Sequence, residues 1–179
     1  MKSPVPYLTD EKYSALPLPE RALHVARSQV GEREVPKGSN FGGMVTAYLK
    51  ASGWISPAAW CAAFAVWCIV QAGGKKSLLW TSGLASTWFL YDWAKRKGRL
   101  STEPKRGDLF VWSTPKGGHT GFVVEVYRTR GVLHIRTIEG NTNDEGSREG
   151  YEVCERRRSI TELQSYKRFG FINLGGLDR

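Results

Sequence analysis

The chain has 179 residues, a length typical of one domain and short for two. With 41% hydrophobic and 24% charged residues, its composition is that of a globular protein and excludes an intrinsically disordered chain. Lysine and arginine number 26 against 17 acidic residues, which gives a net charge of +9. This charge favours contact with polyanions such as nucleic acid, anionic lipid or bacterial wall polymers. The alternative is that the basic residues only solvate the surface.

The N-terminal segment carries three prolines and few periodic apolar positions. We therefore expect an extended arm over residues 1–18 and a single folded domain over residues 19–179. The segment has no continuous apolar stretch of the kind that signal peptides and membrane anchors need. We expect no membrane insertion, and we expect synthesis in the cytoplasm without a signal peptide.

Four helices are predicted in the N-terminal half from cap residues, apolar spacing and glycine stops. The first begins at Pro19 and ends at Gly31, the second spans about 43–51, and the fourth begins near Ser86. The core-facing residues predicted for these three helices follow the helical period: Leu23, Ala26, Val30, Val45, Tyr48, Leu49, Phe89, Leu90 and Trp93.

The third predicted helix is apolar on nearly every side. A cap residue followed by proline, Ser56-Pro57, predicts its start, and the apolar run continues to Ala72. A helix that is apolar all round is a buried helix. We therefore expect this helix to lie at the centre of the core.

The apolar period changes from helical to alternating after residue 100, as is typical of strands. The predicted strands cover residues 108–112, 119–127, 132–139, 151–157 and 168–174. Helices followed by strands predict an α+β fold with an antiparallel sheet of about five to six strands.

Three cysteines leave at least one thiol unpaired. Cys61 and Cys68 share the third predicted helix about 10 Å apart, whereas a disulfide needs Cα atoms within about 7 Å. Both should be free thiols, which is typical of a reducing compartment. Cys61 lies near the helix start, where a thiolate is stabilised, so it is the candidate nucleophile. Cys68 lies deeper at a core position, and Cys154 has no histidine nearby in sequence. For Cys61 too, a small buried apolar residue remains the alternative.

One of the three histidines is a candidate general base. His119 follows two glycines and opens a predicted strand, which places its side chain at the rim of the sheet. His24 lies beside the apolar stripe of the first helix and His134 lies in the middle of a strand, so both are interpreted as structural.

Two polar residues could orient this histidine. Glu139 and Asn141 alternate at the end of the third predicted strand and therefore point to the same side. Either could hydrogen-bond the far ring nitrogen of His119 and hold its tautomer, while the other could support the oxyanion site or bind substrate. The alternative is that these residues only form a turn.

Four segments together resemble the CHAP family, the cysteine, histidine-dependent amidohydrolases and peptidases related to NlpC-type and papain-like hydrolases. They are WCAAFAVW at 60–67, GDLF at 107–110, GHTGFVV at 118–124 and IEGNT at 138–142, and they occur in the family's order. The resemblance implies a papain-like α+β fold. It also implies Cys61 as nucleophile, His119 as base, Glu139 as the third catalytic member and Asn141 as an assisting residue.

The resemblance implies bacterial peptidoglycan as the substrate. The bond would be the one between the lactyl group of the sugar and L-alanine, cut by an amidase, or one within the peptide crosslinks, cut by an endopeptidase. We expect Trp60, Asn40 and Phe41 to border the substrate groove. Some members bind calcium ahead of the cysteine, but residues 32–60 contain no aspartate and only Glu32 and Glu34, so we expect no metal and no cofactor.

The sequence does not decide between two biological settings. A phage lysis enzyme released through holin-type holes and an antibacterial effector injected by a secretion system both fit, the latter with a cognate immunity protein. We expect a monomer. The alternatives are a cysteine hydrolase or deamidase acting on proteins and a non-catalytic basic binder of wall polymer or nucleic acid. No run of basic residues alternates with aromatic ones, so no nucleic-acid partner is expected, and the three arginines at 156–158 are interpreted as a solvated strand end.

Overall fold

The computed structural model describes residues 11–80, 83–142 and 150–179. Within these ranges the helices occupy mainly the N-terminal half and a six-stranded antiparallel sheet the C-terminal half, so the predicted α+β class is confirmed. The helices are α1 (Glu11–Ser14), α2 (Leu18–Ser28), α3 (Gly43–Ala51), α4 (Cys61–Gln71), α5 (Thr87–Arg96) and α6 (Ile160–Leu163). The strands are β1 (Leu100–Ser101), β2 (Leu109–Thr114), β3 (Gly117–Thr129), β4 (Val132–Thr142), β5 (Glu152–Ser159) and β6 (Arg168–Ile172).

The strand order in the sheet is β1-β6-β2-β3-β4-β5. Strands β2 to β5 follow one another as antiparallel neighbours, and β6 returns to lie between β1 and β2. This order places β3 and β4 side by side in the interior of the sheet. Residues at the start of β3 and at the end of β4 therefore meet at one end of the sheet.

Helix α4 is the central helix of the core. Nine of its 11 residues are buried, and it packs against α2, α3, β3 and β4. The burial of α4 confirms the prediction of a central buried helix. The predicted start at Ser56-Pro57 was wrong, because the helix begins at Cys61. Side-chain contacts of Trp60, described below, hold the chain in a non-helical conformation up to that point.

The two faces of the sheet pack into two apolar clusters. Alternate strand residues such as Leu109 and Val111 join the helices in the main core, whereas Phe110 and Trp112 face a smaller cluster that α6 covers. This division follows from the two-residue period of strands. The smaller cluster matters for function, because Phe110 also lies beside His119.

Several local features differ from prediction. Residues 11–14 of the predicted extended arm form a helical turn with Tyr13 buried, and residues 1–10 lie outside the described residues. Val30 is exposed because α2 ends at Ser28, two residues before it. Phe89 is also exposed, although the helical period placed it in the core. No helix among the described residues is long and apolar enough to cross a membrane.

Candidate active site

Cys61 is the first residue of α4. The first backbone bond at this end of the helix runs from the Phe64 N–H to the Trp60 carbonyl, at 2.8 Å. The N–H groups of the residues before Phe64 consequently have no acceptor within the helix, and they give this end a partial positive charge. Such a position attracts negative charge. The Cys61 side chain is 4% exposed.

The other two cysteines are not arranged for chemistry. All three are free thiols, as predicted for Cys61 and Cys68. Burial raises the pKa of Cys68 well above its usual value, which keeps that thiol protonated and unreactive. Cys154 is buried in β5.

His119 lies near the start of β3 and is 1% exposed. Its Nε2 is 2.8 Å from Oε2 of Glu139. Its Nδ1 is buried and has no hydrogen-bond partner among the described residues. The Cys61 thiol lies close enough to the ring to raise its pKa. Since Glu139 occupies Nε2, Nδ1 is the ring nitrogen left for the thiol.

The surroundings of His119 favour the imidazolium. Burial by itself would lower the pKa of the ring, but the nearby Cys61 sulfur and the hydrogen-bonded Glu139 carboxylate raise it to about 9. The ring therefore carries its second proton at neutral pH. An imidazolium beside a thiol at a helix N-terminus is the setting in which a cysteine becomes a strong nucleophile.

Glu139 is fully buried and hydrogen-bonded at both oxygens. Oε1 accepts hydrogen bonds from the Thr137 hydroxyl at 2.5 Å and from Arg158 Nε at 2.6 Å. Oε2 accepts one from Arg158 Nη2 at 2.5 Å, in addition to the His119 contact. Burial alone would raise the pKa of this carboxyl, but the hydrogen bonds and charges of Arg158 and His119 hold it far below its usual range. Glu139 is therefore an anion at neutral pH.

Asn141 takes a different position from Glu139. It is 2% exposed, has a left-handed backbone conformation with φ of 57°, and lines a cavity together with Cys61. Its Oδ1 has no hydrogen-bond partner among the described residues. Of the two residues that the sequence left open, Glu139 is therefore the one that hydrogen-bonds His119, and Asn141 lies at the cavity beside the thiol.

Two glycines permit this close packing. A Cβ at Gly140 would lie 2.6 Å from the Trp60 ring and 2.9 Å from Phe64, so only glycine lets β4 approach the start of α4. A Cβ at Gly121 would lie 2.6 Å from Cγ of Glu139. The absence of both side chains brings the helix that bears Cys61 to the strands that bear His119 and Glu139.

The cavity that Cys61 and Asn141 line has a volume of about 460 Å³. Its wall is mainly apolar, with two large aromatic side chains and one lysine among its members: Trp54, Ala58, Ala59, Gly83, Ala85, Ser86, Thr87, Phe89, Lys116, Gly117 and Gly118. Trp54 and Phe89 are both about half exposed. The reactive sulfur thus borders a concave surface of the size that binds small ligands or short segments of polymers.

The residues predicted to border the groove lie elsewhere. Trp60 is fully buried, where it donates from Nε1 to Glu34 Oε1 at 2.9 Å and stacks on Tyr48, so the prediction that it borders the groove was wrong. Asn40 and Phe41 lie in the loop before α3, and neither lines this cavity. The sequence had no signal for Trp54, and the helical period misplaced Phe89 in the core.

Other candidate residues lie outside the site. His24 contacts Tyr13 edge to face and His134 stacks on Tyr127, in agreement with structural roles. Arg158, which the sequence placed in a solvated patch, instead points inward to Glu139. Within the described ranges no three His, Cys, Asp or Glu side chains are grouped so that they could hold a metal ion.

The comparisons with known proteins give one match. The sequence model of the CHAP domain matches residues 52–141, which is half of the chain and includes Cys61, His119, Glu139 and Asn141. No curated protein and no solved structure matches the chain.

Proposed function

The chain belongs to the CHAP domain family, whose members are amidohydrolases and peptidases that act on peptidoglycan, and from that membership we propose that it cuts a peptidoglycan amide bond with Cys61 as nucleophile. The observation that carries the proposal is the continuous row of contacts from Cys61 through His119 to Glu139 beside an apolar cavity. A nucleophile, a base and a group that orients the base are the three parts that acyl transfer needs.

In the first half of the reaction, the Cys61 thiolate attacks the amide carbonyl. The backbone N–H groups at the start of α4, which lack helical acceptors, stabilise the oxyanion that develops. His119 then gives the proton on Nδ1 to the leaving amine, and an acyl thioester forms on Cys61.

In the second half, His119 accepts a proton from a water molecule that attacks the thioester. The acyl group leaves as a carboxylic acid and Cys61 returns to the thiolate. Glu139 keeps the imidazole in place through both halves, because its bond to Nε2 leaves Nδ1 directed at the sulfur.

Asn141 serves the substrate in this proposal. Asn141 lines the cavity beside Cys61, and its side-chain amide can hydrogen-bond an amide group of the substrate. Trp54 and Phe89 offer apolar contact to the rest of the ligand. This assignment replaces Trp60, Asn40 and Phe41 as the substrate-binding residues.

The bond and the biological setting are also proposals. We propose cleavage either between the lactyl group and L-alanine or within the peptide crosslinks, by a monomer that needs no cofactor. The protein would reach the wall as a phage lysis enzyme or as an injected effector, and an effector would have an immunity protein as its partner.

Digestion of purified peptidoglycan tests the proposal. We expect the wild-type protein to release soluble muropeptides and Cys61→Ala to release none above background. Cys68→Ala is the matched control, because it removes a buried thiol from the same helix two turns deeper. Equal turnover by Cys61→Ala and wild type would refute the assignment.

Mass spectrometry of the released fragments identifies the bond, since an amidase exposes the amine of L-alanine and an endopeptidase exposes an amine within the stem peptide or crosslink. A panel of proteins treated in parallel tests the alternative of a deamidase. Modification of proteins without release of muropeptides would favour that alternative.

A further inference from the structure

Arg158 is the third of three consecutive arginines in β5, and it differs from its neighbour. Arg157 is exposed, whereas the Arg158 side chain is only 14% exposed and points toward the sheet interior. Its Nε and Nη2 atoms each donate to a different oxygen of Glu139, at 2.6 and 2.5 Å. This two-point geometry matches a planar guanidinium to a planar carboxylate.

We propose that Arg158 is a positioning residue of the site: it holds both oxygens of Glu139 and so fixes the carboxylate that orients His119. The proposal rests on the proposed function. Arg158 itself is not among the residues that line the cavity.

The path of the Arg158 side chain supports a specific role. In the backbone register Arg158 is opposite Ile135, and Glu139 is opposite Cys154, four residues away along the strand. The arginine must therefore extend along the sheet to reach the carboxylate, and its guanidinium lies 5.4 Å from the centre of the Phe110 ring on the way. Phe110 in turn lies beside His119, at 6.0 Å between ring centres.

The charged and titratable groups around the pair come from three elements and from the loop after α6. His119 approaches Glu139 from β3, and Cys154 is its register neighbour in β5. Glu162 of α6 and Tyr166 act on Arg158. Burial by itself lowers the pKa of Arg158, but the contacts with Glu139 and these two groups raise it, so the guanidinium stays charged.

Arg158 is the strongest of the groups that lower the pKa of the buried Glu139 carboxyl. Without Arg158 this pKa would rise, and at acid pH a proton would compete with His119 for Oε2. The carboxylate would also lose two of its four hydrogen bonds, and only those of Thr137 and His119 would remain to hold its orientation. We therefore expect two separate losses, one of charge at acid pH and one of orientation at every pH.

Three variants separate these losses. Arg158→Met removes the charge and keeps the length, and Arg158→Lys keeps a point charge but cannot hold both oxygens. Arg157→Met is the matched control, because it makes the same change one residue away on the exposed side. Thermal unfolding checks that each variant folds. If Arg158→Met does not fold, Arg158→Lys still tests the proposal.

Two readouts are measured. The first is the ¹³C NMR titration of the Glu139 carboxyl in protein labelled at glutamate, with the resonance assigned by its loss in Glu139→Gln. The second is the pH profile of kcat and KM on soluble muropeptides. The NMR readout needs no substrate, so an inactive wild type would count against the proposed function and leave the role of Arg158 to be judged by the titration.

In Arg158→Met we expect the carboxyl to titrate at higher pH than in wild type and the acid limb of kcat to move up by about one pH unit or more, a tenfold loss at the acid end. In Arg158→Lys we expect the acid limb of the kcat profile to stay at its wild-type pH and kcat to fall several-fold at all pH values. We expect KM to be unchanged in both Arg158 variants. If Arg158→Met and Arg158→Lys matched Arg157→Met and wild type in titration and kcat, the proposal would be overturned.

Discussion

His119 and Glu139 form the contact on which the chemistry depends. Both are fully buried, yet each keeps its charge because the other supplies the opposite one and Arg158 supports the carboxylate. A buried charge without such partners would be neutralised or displaced. The site therefore holds a buried imidazolium at neutral pH.

Glu139→Gln tests this interdependence. Glutamine keeps the shape but not the charge, so we expect the pKa of His119 to fall below about 9, since Cys61 alone then offsets burial. We expect kcat to fall roughly 10²- to 10⁴-fold, the contribution typical of a positioned acid–base group. NMR titration of the His119 ring measures the first effect. Glu155→Gln, at an exposed position in β5, is the control. A ring that still titrates near 9 would show that Glu139 does not set its charge.

Residue type and strand alternation predicted much of this site. Cys61 was selected by its place near a helix start and His119 by its place at a strand start, and the structure brings the two together. Alternation put Glu139 and Asn141 on one side but could not choose between them, because the choice depends on a distance across strands. Arg158 was missed because a run of three arginines is typical of surface, and the sequence does not show that a long side chain extends inward.

At the scale of elements, the position of Cys61 depends on where α4 begins. Ser56-Pro57 is a sound local start signal, yet the helix begins at Cys61 because Trp60 is fixed by tertiary contacts. Its indole donates to the buried Glu34 and stacks on Tyr48. These partners are far away in sequence, and local patterns cannot reveal them. They set the thiol in the first turn rather than the second.

Trp60→Phe tests this anchor. The change leaves both oxygens of Glu34 without a partner among the described residues, since Oε2 already has none. We expect the free energy of unfolding to fall by about 1–3 kcal/mol, the cost of a buried polar group left unsatisfied. Glu34→Leu in the same background should restore part of the loss, with a coupling of about 0.5–3 kcal/mol between the two changes. Urea unfolding of both single variants and the double variant measures the coupling, and purely additive losses would contradict the anchor.

At the scale of the whole molecule, the order of elements was predictable and the shortest elements were not. The long apolar run of α4 and the alternating apolar residues of β3 predicted the α+β class, because both segments are long enough to show their type. Strand β1 has two residues and α6 has four, too few to show a period. The cavity could not be predicted either, since its wall combines residues from distant parts of the chain.

The protonation of His119 should make the free energy of unfolding depend on pH. Because the pKa of His119 is about 9 when folded and near 6.5 when unfolded, the folded state binds the proton more tightly. Its contribution to stability is complete below about pH 6.5 and is lost as the pH rises through about 9. We expect wild-type unfolding free energy to decline across this window and His119→Gln to decline less. Urea unfolding at several pH values measures both, and parallel curves would contradict the charged pair.

The most direct test of the account is to find the acyl group on the cysteine. Wild-type protein is mixed with soluble muropeptides, quenched in acid within the first turnovers and examined by peptide mass spectrometry. We expect a muropeptide acyl adduct on the peptide that contains Cys61 and none on those that contain Cys68 or Cys154. Turnover of the same substrate with no adduct on Cys61, together with full activity in Cys61→Ala, would contradict the account.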